Sequence, residues 1–251
     1  MYIDENTIKE LILERDKLIN EIKEYESANP DYNKVNYRYK MMNEELISLT
    51  KGINSLLLNL QFSYSRYNIH TSNYPKDYIV FDTETTGLDP NSNEIIEYSF
   101  LKYVDNKLVD KLSSLVKPSV PIPEFITNIT HISNDSVEDA LPIDDHLAKI
   151  IEFINGQVII GHNILFDIKF LESTIKRSSL ELNRVKIEYI DTVSLARKYI
   201  PDAPNHKLET LKNYLNIDSI SHRSESDCEV TQIVYMKCVE KANEEIANAL
   251  Q

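Results

Sequence analysis

Residues 81–87 read Phe-Asp-Thr-Glu-Thr-Thr-Gly and continue an apolar run that begins Tyr78-Ile79-Val80. Such a run entering Asp-x-Glu reads as a strand, and side chains two apart on a strand point to one face. Asp82 and Glu84 therefore project together. A sheet face normally meets helices and core, so two acids on it need cationic partners, and hard divalent metals prefer carboxylate oxygen. Two later segments enlarge the set. Residues 161–171, Gly-His-Asn-Ile-Leu-Phe-Asp-Ile-Lys-Phe-Leu, contribute Asp167. Residues 222–227, His-Arg-Ser-Glu-Ser-Asp, contribute His222 and Asp227.

In order and spacing these three segments resemble the motifs of the DEDDh (DnaQ-like) 3'-to-5' exonucleases, which include the epsilon-type proofreading domain of bacterial replicative DNA polymerase. The resemblance spans about residues 76–245. His222 stands five residues before Asp227, as in the His subclass; the sister class carries Tyr four residues before that Asp, where this chain has Arg223. The resemblance implies a ribonuclease H-like fold and two divalent ions, Mg²⁺ or Mn²⁺, held by Asp82, Glu84, Asp167 and Asp227. Four carboxylates balance the charge of two such ions. Asp82 is expected to bridge both ions, and His222 to act as general base, a task that suits an imidazole titrating near neutrality. The implied reaction releases nucleoside 5'-monophosphates from the 3' end of single-stranded DNA or RNA, with DNA favoured.

The same resemblance marks substrate contacts. Thr85, Thr86, Gly87 and Leu88 form the turn whose backbone holds the terminal nucleotide in relatives, with Leu88 as the apolar wedge and Gly87 permitting close backbone approach. His162, Asn163 and Phe166 match the residues before the third acid; Phe166 reads equally as a stacking or a packing residue. Lys207 is a phosphate-contact candidate. One departure stands out: relatives often read Thr-Gly-Ile where this chain has Thr130-His131-Ile132. Ile132 remains a candidate to meet a base, on a backbone that His131 alters.

Composition narrows the partners. The net charge is −13 over 251 residues, unfavourable for broad binding to a phosphate backbone. Residues 1–75 carry 9 Lys/Arg and 11 Asp/Glu, against 18 and 29 in the remainder. A domain that acidic binds a polyanion through metal-neutralised carboxylates more readily than through its own field. Cys228 and Cys238 share one expected helix about 15 Å apart, beyond disulfide reach, and read as reduced packing residues. No apolar run approaches the ~18 residues of a membrane span and the start lacks a secretory pattern, so the expected location is cytoplasmic.

The chain is expected to divide into a helical hairpin or coiled coil at 1–60, a linker at 61–75 and the exonuclease domain at 76–251. Ile8, Leu11, Arg15, Leu18, Ile22 and Tyr25, and then Met42, Leu46, Leu49, Ile53, Leu56 and Leu60, step by three and four, with a turn at Asn29-Pro30. Such seams close on each other, on the domain, or on a second chain or protein partner. Lys34, Arg38 and Lys40 interleaved with Tyr32, Tyr37 and Tyr39 read either as a stacking surface for single strands or as ordinary helix surface. Expected strands at 78–83, 95–103, 107–116, 157–161 and 185–190, with helices near 143–154, 165–177, 192–199, 207–215 and 225–246, give an α/β mixed sheet flanked by helices. Two other functions stay open: a scaffold that recruits a replication or repair partner through the hairpin, and a phosphodiesterase of short oligonucleotides.

Overall fold

The computed structural model describes residues 5–28, 37–69, 73–178, 185–219 and 222–249. The chain forms two compact units, residues 1–62 and 63–251. In the first, α1 (Glu5–Ala28) and α2 (Tyr37–Gln61) pack on each other. Tyr25 stacks on Tyr39 at 6.4 Å between ring centroids, the Arg38 guanidinium lies 5.7 Å from the Tyr25 ring, and the Tyr39 hydroxyl donates to Glu26 at 3.0 Å. Leu11, Arg15, Leu18, Ile22 and Tyr25 on α1, and Met42, Leu46, Leu49 and Ile53 on α2, are all at least partly covered. Leu13, Met41 and Ile47, off the seams, are exposed. The side chains of Ile8, Leu56 and Leu60, the Asn29-Pro30 turn, Tyr32 and Lys34 lie outside the described residues.

The second unit is a six-stranded mixed sheet with helices. In chain order its elements are β1 (Phe62–Arg66), β2 (Tyr78–Thr85), β3 (Ile95–Val104), β4 (Lys107–Leu115), α3 (Glu124–Thr130), α4 (Asp144–Ile154), β5 (Val158–Gly161), α5 (Leu165–Arg177), β6 (Val185–Asp191), α6 (Thr192–Tyr199), α7 (Leu208–Tyr214) and α8 (Ser224–Ala249). The strand order is β1-β6-β5-β2-β3-β4. β2 is central, antiparallel to β3 and parallel to β5, which is parallel to β6. The segment read as a linker thus supplies an edge strand, and the Tyr67 N–H continues its pairing onto Tyr189 O at 2.8 Å.

The period of two along β2 decides which helix meets which residue. Tyr78 and Val80 face α8, where Tyr78 meets Tyr235 edge-on at 5.0 Å in a cluster with Val234 and Cys238. Phe81 faces the other way and stacks on Phe100 at 4.1 Å, with Phe153 of α4 beyond. Each buried aromatic contributes about 1.5–3 kcal/mol by leaving water. α8 approaches closely through small residues: Ser224 Oγ lies 2.8 Å from Ser99 Oγ, and Cys228 Sγ lies 3.4 Å from Ser99 O. Cys228 and Cys238 are free and buried. No described helix is long and apolar enough to cross a membrane.

Candidate active site

Beyond Val80 the α8-facing side of β2 changes from apolar to acidic, giving Asp82 and Glu84. Strand β5 pairs with β2 at Ile79 and Val80 and ends at Gly161. Asp167 in the first turn of α5 takes up backbone beyond that end: its Oδ1 accepts the Thr83 N–H at 3.0 Å and the Thr83 hydroxyl at 2.7 Å. Gly161 allows the close approach this needs, since a Cβ there would lie 2.9 Å from Phe81 O. Asp227 comes from the first turn of α8, and its Oδ2 accepts the His222 N–H at 3.1 Å. That bond folds the preceding segment back over the acid. Side-chain ligand atoms of Glu84, His222 and Asp227 lie within 4.8 Å of one another.

Asp82, Glu84, Asp167 and Asp227 therefore converge from β2, α5 and α8, and each feels the cost. Desolvation, then the charges of Asp167, Asp227, Glu84 and Glu97, lift Asp82 well above the ordinary carboxylate range. Desolvation and the charges of Asp227, Glu97 and Asp167 push Glu84 up to about 8, against a smaller opposing effect of Arg223. Asp167 rises to about 7 because burial outweighs its bonds from Thr83. Asp227 rises to about 6 because burial outweighs the His222 N–H and the charges of His222 and Lys212. Oxygen donors so crowded and so poorly compensated fit hard divalent cations, whose charge relieves the repulsion.

Other expected contacts fall in different places. The Thr85 hydroxyl donates to Gly87 O at 2.6 Å, while Thr86 pairs through its N–H and Oγ1 with the backbone of Glu94. Both threonines shape the turn. A Cβ on Gly87 would come within 2.6 Å of the Asn93 side chain, which accepts the Asp89 N–H. Leu88 beyond it is 84% exposed. Asn163, at φ 63°, donates its N–H to Asp191, the residue capping α6. Phe166 packs on Phe170 at 4.8 Å.

His162 has both ring nitrogens engaged by the protein. Nε2 donates to His206 O at 2.9 Å, and Nδ1 lies 2.9 Å from the hydroxyl of Thr192, which itself donates to Gly161 O at 3.1 Å; burial lowers the pKa of the ring. Ile132 is buried with Ile96, Ile122 and Ile126, so it packs the core instead of facing a base. His131 holds φ 59° at the end of α3, the left-handed conformation that glycine adopts most readily. The Lys207 side chain is exposed. Two residues outside the expected site also shape this geometry: Thr83, the residue between the two acids of β2, and Glu97, which no motif marks.

Residues 79–235 match the RNase T family model, described as exonuclease. The chain belongs to this exonuclease family. It is 36% identical over 169 residues to a PolC-type DNA polymerase III of Caldanaerobacter subterraneus subsp. tengcongensis, covering 67% of this chain and 12% of that protein. The PolC-type DNA polymerase III of Bacillus subtilis is 33% identical over 168 residues, again 12% of its length. The chain thus spans about 12% of the length of these curated relatives. Among solved structures, exonuclease X in complex with 5'-overhanging duplex DNA superposes with TM-score 0.51 at 24% identity, covering 66% of this chain and 92% of that one. Escherichia coli exonuclease I in complex with a dT13 oligonucleotide gives 0.57 at 15% identity, over 70% and 43%. The DnaQ-like resemblance and the ribonuclease H-like architecture both hold, and the second unit is an exonuclease domain of the DnaQ family.

Proposed function

We propose that the chain is a metal-dependent 3'-to-5' exonuclease of the DEDDh class that shortens single-stranded nucleic acid, DNA in preference to RNA. The observation that carries this reading is the convergence of Asp82, Glu84, Asp167 and Asp227 at the end of β2, with His222 beside Glu84 and Asp227. Asp82, Glu84, Asp167 and Asp227 would hold Mg²⁺ or Mn²⁺, which would supply positive charge for a scissile phosphate and a more acidic water. His222 takes the proton of the attacking water. The water oxygen joins phosphorus as the bond from phosphorus to the 3' oxygen breaks, leaving a 5'-monophosphate and a 3' oxyanion that takes a proton from solvent to become the new 3' hydroxyl. The Thr85–Leu88 turn presents backbone and the exposed Leu88 to the terminal nucleotide. His162 and Asn163 serve that surface from within, by fixing the loop between β5 and α5.

The test uses purified protein with 5'-labelled and 3'-labelled DNA and RNA oligomers, in Mg²⁺, Mn²⁺ or EDTA. The expected outcome is a descending ladder from the 5' label and labelled mononucleotide from the 3' label, both abolished by EDTA. Activity that survives EDTA, or release of the 5' label first, overturns the mechanism. Turnover confined to dinucleotides selects the short-oligonucleotide reading instead.

Residues 1–60 we assign to a separate helical domain that contacts a protein partner or a second copy, and the exonuclease domain we extend to include β1. A chain of residues 62–251 should stay folded and keep nuclease activity, while the full chain scatters light as the larger assembly. Equal, monomeric behaviour of both removes the self-association reading.

A further inference from the structure

We propose that Glu97 is a positioning residue: its carboxylate clasps Arg223 and the Ser224 N–H, and so sets His222 against Glu84 and Asp227. This rests on the exonuclease reading above, in which His222 handles a proton.

Glu97 is only 6% exposed, and the register of β2 on β3 places it directly across from Glu84. Like charges directly opposite on paired strands repel, and a buried carboxylate without partners is costly. The energetics therefore call for a reason to keep an acid here. Its oxygens answer that. Arg223 Nη2 donates to Oε1 at 2.7 Å, and Arg223 Nε reaches Oε1 at 3.1 Å and Oε2 at 3.3 Å. The Ser224 N–H donates to Oε2 at 2.9 Å. Both oxygens are thus committed to the two residues that immediately follow His222. The Arg fork fixes direction as well as charge, which a lysine ammonium does not.

His222 itself holds φ 61°, a conformation costing a non-glycine residue about 1–2 kcal/mol. Two anchors keep it there. Asp227 takes the His222 N–H on one side, and Glu97 holds residues 223 and 224 on the other. With Glu97 released, the strained residue loses one anchor and the imbalance favours rotation of the imidazole away from the acids. Because its lone pairs face Arg223 and Ser224, Glu97 is not a fifth metal ligand, although it stands beside four of them.

The test compares Glu97→Gln, Arg223→Lys and Glu97→Gln/Arg223→Lys with the wild-type chain. Arg223 is half-exposed, so its lysine variant provides a well-folded member of the series. Three measurements are made: Mn²⁺ affinity by calorimetry, kcat and KM on a single-stranded oligomer, and the His222 ring-proton resonance of metal-free protein, assigned with His222→Gln. The expected result is a kcat lowered about 10–10²-fold with KM and Mn²⁺ affinity within about twofold, and a displaced His222 resonance in every variant. The double variant should cost no more than the worse single, since both remove one clasp. Weakened Mn²⁺ binding in Glu97→Gln would make Glu97 a ligand and overturn the proposal. So would an unmoved His222 resonance with only a lower Tm, the mark of a purely structural ion pair. A wild-type chain without nuclease activity would defeat the exonuclease reading, while the resonance arm would still decide the clasp.

Discussion

Strand β2 meets helix α8 twice, and the two meetings are chemically opposite. At Tyr78 and Val80 the contact is dry, with Tyr235, Val234 and Cys238 of the helix packed against the strand. Two residues further, the same strand face carries Asp82 and Glu84, and the same helix answers with Asp227. One end gains free energy on folding and the other spends it. The difference locates stability and chemistry on one pair of elements: the aromatic end fixes the helix axis, and the acidic end is held in repulsion by it. Strain of this kind survives only where surrounding structure over-determines it.

Substitution at each end should separate the two. Tyr78→Ala should destabilise by about 3–5 kcal/mol, as for other large buried aromatics, while the molecules that remain folded still gain stability from Mn²⁺. Asp82→Ala should do the reverse, with nuclease activity falling to background and the Mn²⁺-induced rise in Tm shrinking. At pH 8 its metal-free Tm should match or exceed that of the wild type, because a carboxyl group disfavoured by burial and by its acidic neighbours is gone. Thermal melts with and without Mn²⁺ read both outcomes. A metal response intact in Asp82→Ala would place the ion elsewhere and end the contrast between the two ends.

Within the acidic end, His222 differs from the carboxylates in handling a proton. His222→Ala should lower turnover by roughly 10²–10⁴-fold, about 3–5 kcal/mol of barrier, with metal affinity nearly unchanged. Asp227→Ala should lower both. Calorimetry matters here because one His222 ring nitrogen lies within 4.8 Å of carboxylate oxygens of Glu84 and Asp227, near enough to share an ion with them. A large loss of Mn²⁺ affinity in His222→Ala would make it a ligand and leave the base unassigned.

The acidic end should also reveal itself in pH alone. Glu84, Asp167 and Asp227 are held at about 8, 7 and 6 in the folded chain, all above their unfolded values. The folded state therefore binds more protons between about pH 4 and 8. Their stabilising contribution is complete below the unfolded values and is lost as pH rises through the folded ones. Metal-free protein should lose Tm from pH 6 to pH 8.5, on the order of 5 °C. The gain from Mn²⁺ should grow over the same window, since protons and metal compete for the same oxygens. Identical slopes in wild type and Asp82→Ala would detach this pH response from the cluster.

The two ends were not equally legible in the amino-acid sequence. The acids announced themselves, because Asp82 and Glu84 obey strand period and the segments around Asp167 and Asp227 carry their own context. The clasp did not: Glu97 acquires its role only from its register opposite Glu84 and from Arg223, 126 residues away. Thr83 likewise matters only because β5 stops short and Asp167 replaces it. β1 was hidden in a polar run, Phe-Ser-Tyr-Ser-Arg, whose pairing with β6 is supplied by distant chain. Helix α3, Glu-Phe-Ile-Thr-Asn-Ile-Thr, is rich in β-branched residues with weak helix propensity and is set by tertiary packing. The motif position of His162 is legible in the chain, but the direction of its ring is set by Thr192 and His206, 30 and 44 residues away.

The smallest effect should come from a position that belongs to neither end. His131 closes α3 at φ 59° with its N–H on Thr127 O at 2.9 Å. The turn cannot relax, because the Thr127 hydroxyl donates to Ile132 O and Thr130 Oγ1 accepts the Ile132 N–H, while Ile132 is buried. Glycine in its place removes the left-handed penalty of about 1–2 kcal/mol but adds unfolded-state entropy of about 0.5–1 kcal/mol. His131→Gly should therefore stabilise by about 0.5–1 kcal/mol, read as a shifted denaturation midpoint at constant m. The His131 side chain is exposed and no bond of this turn reaches the acids, so the Mn²⁺ response and the pH slope should not move. A stabilised variant whose KM for oligomer also changes would show that this turn touches the strand being digested. The substrate surface would then extend from Leu88 to α3, well beyond the acidic end of β2.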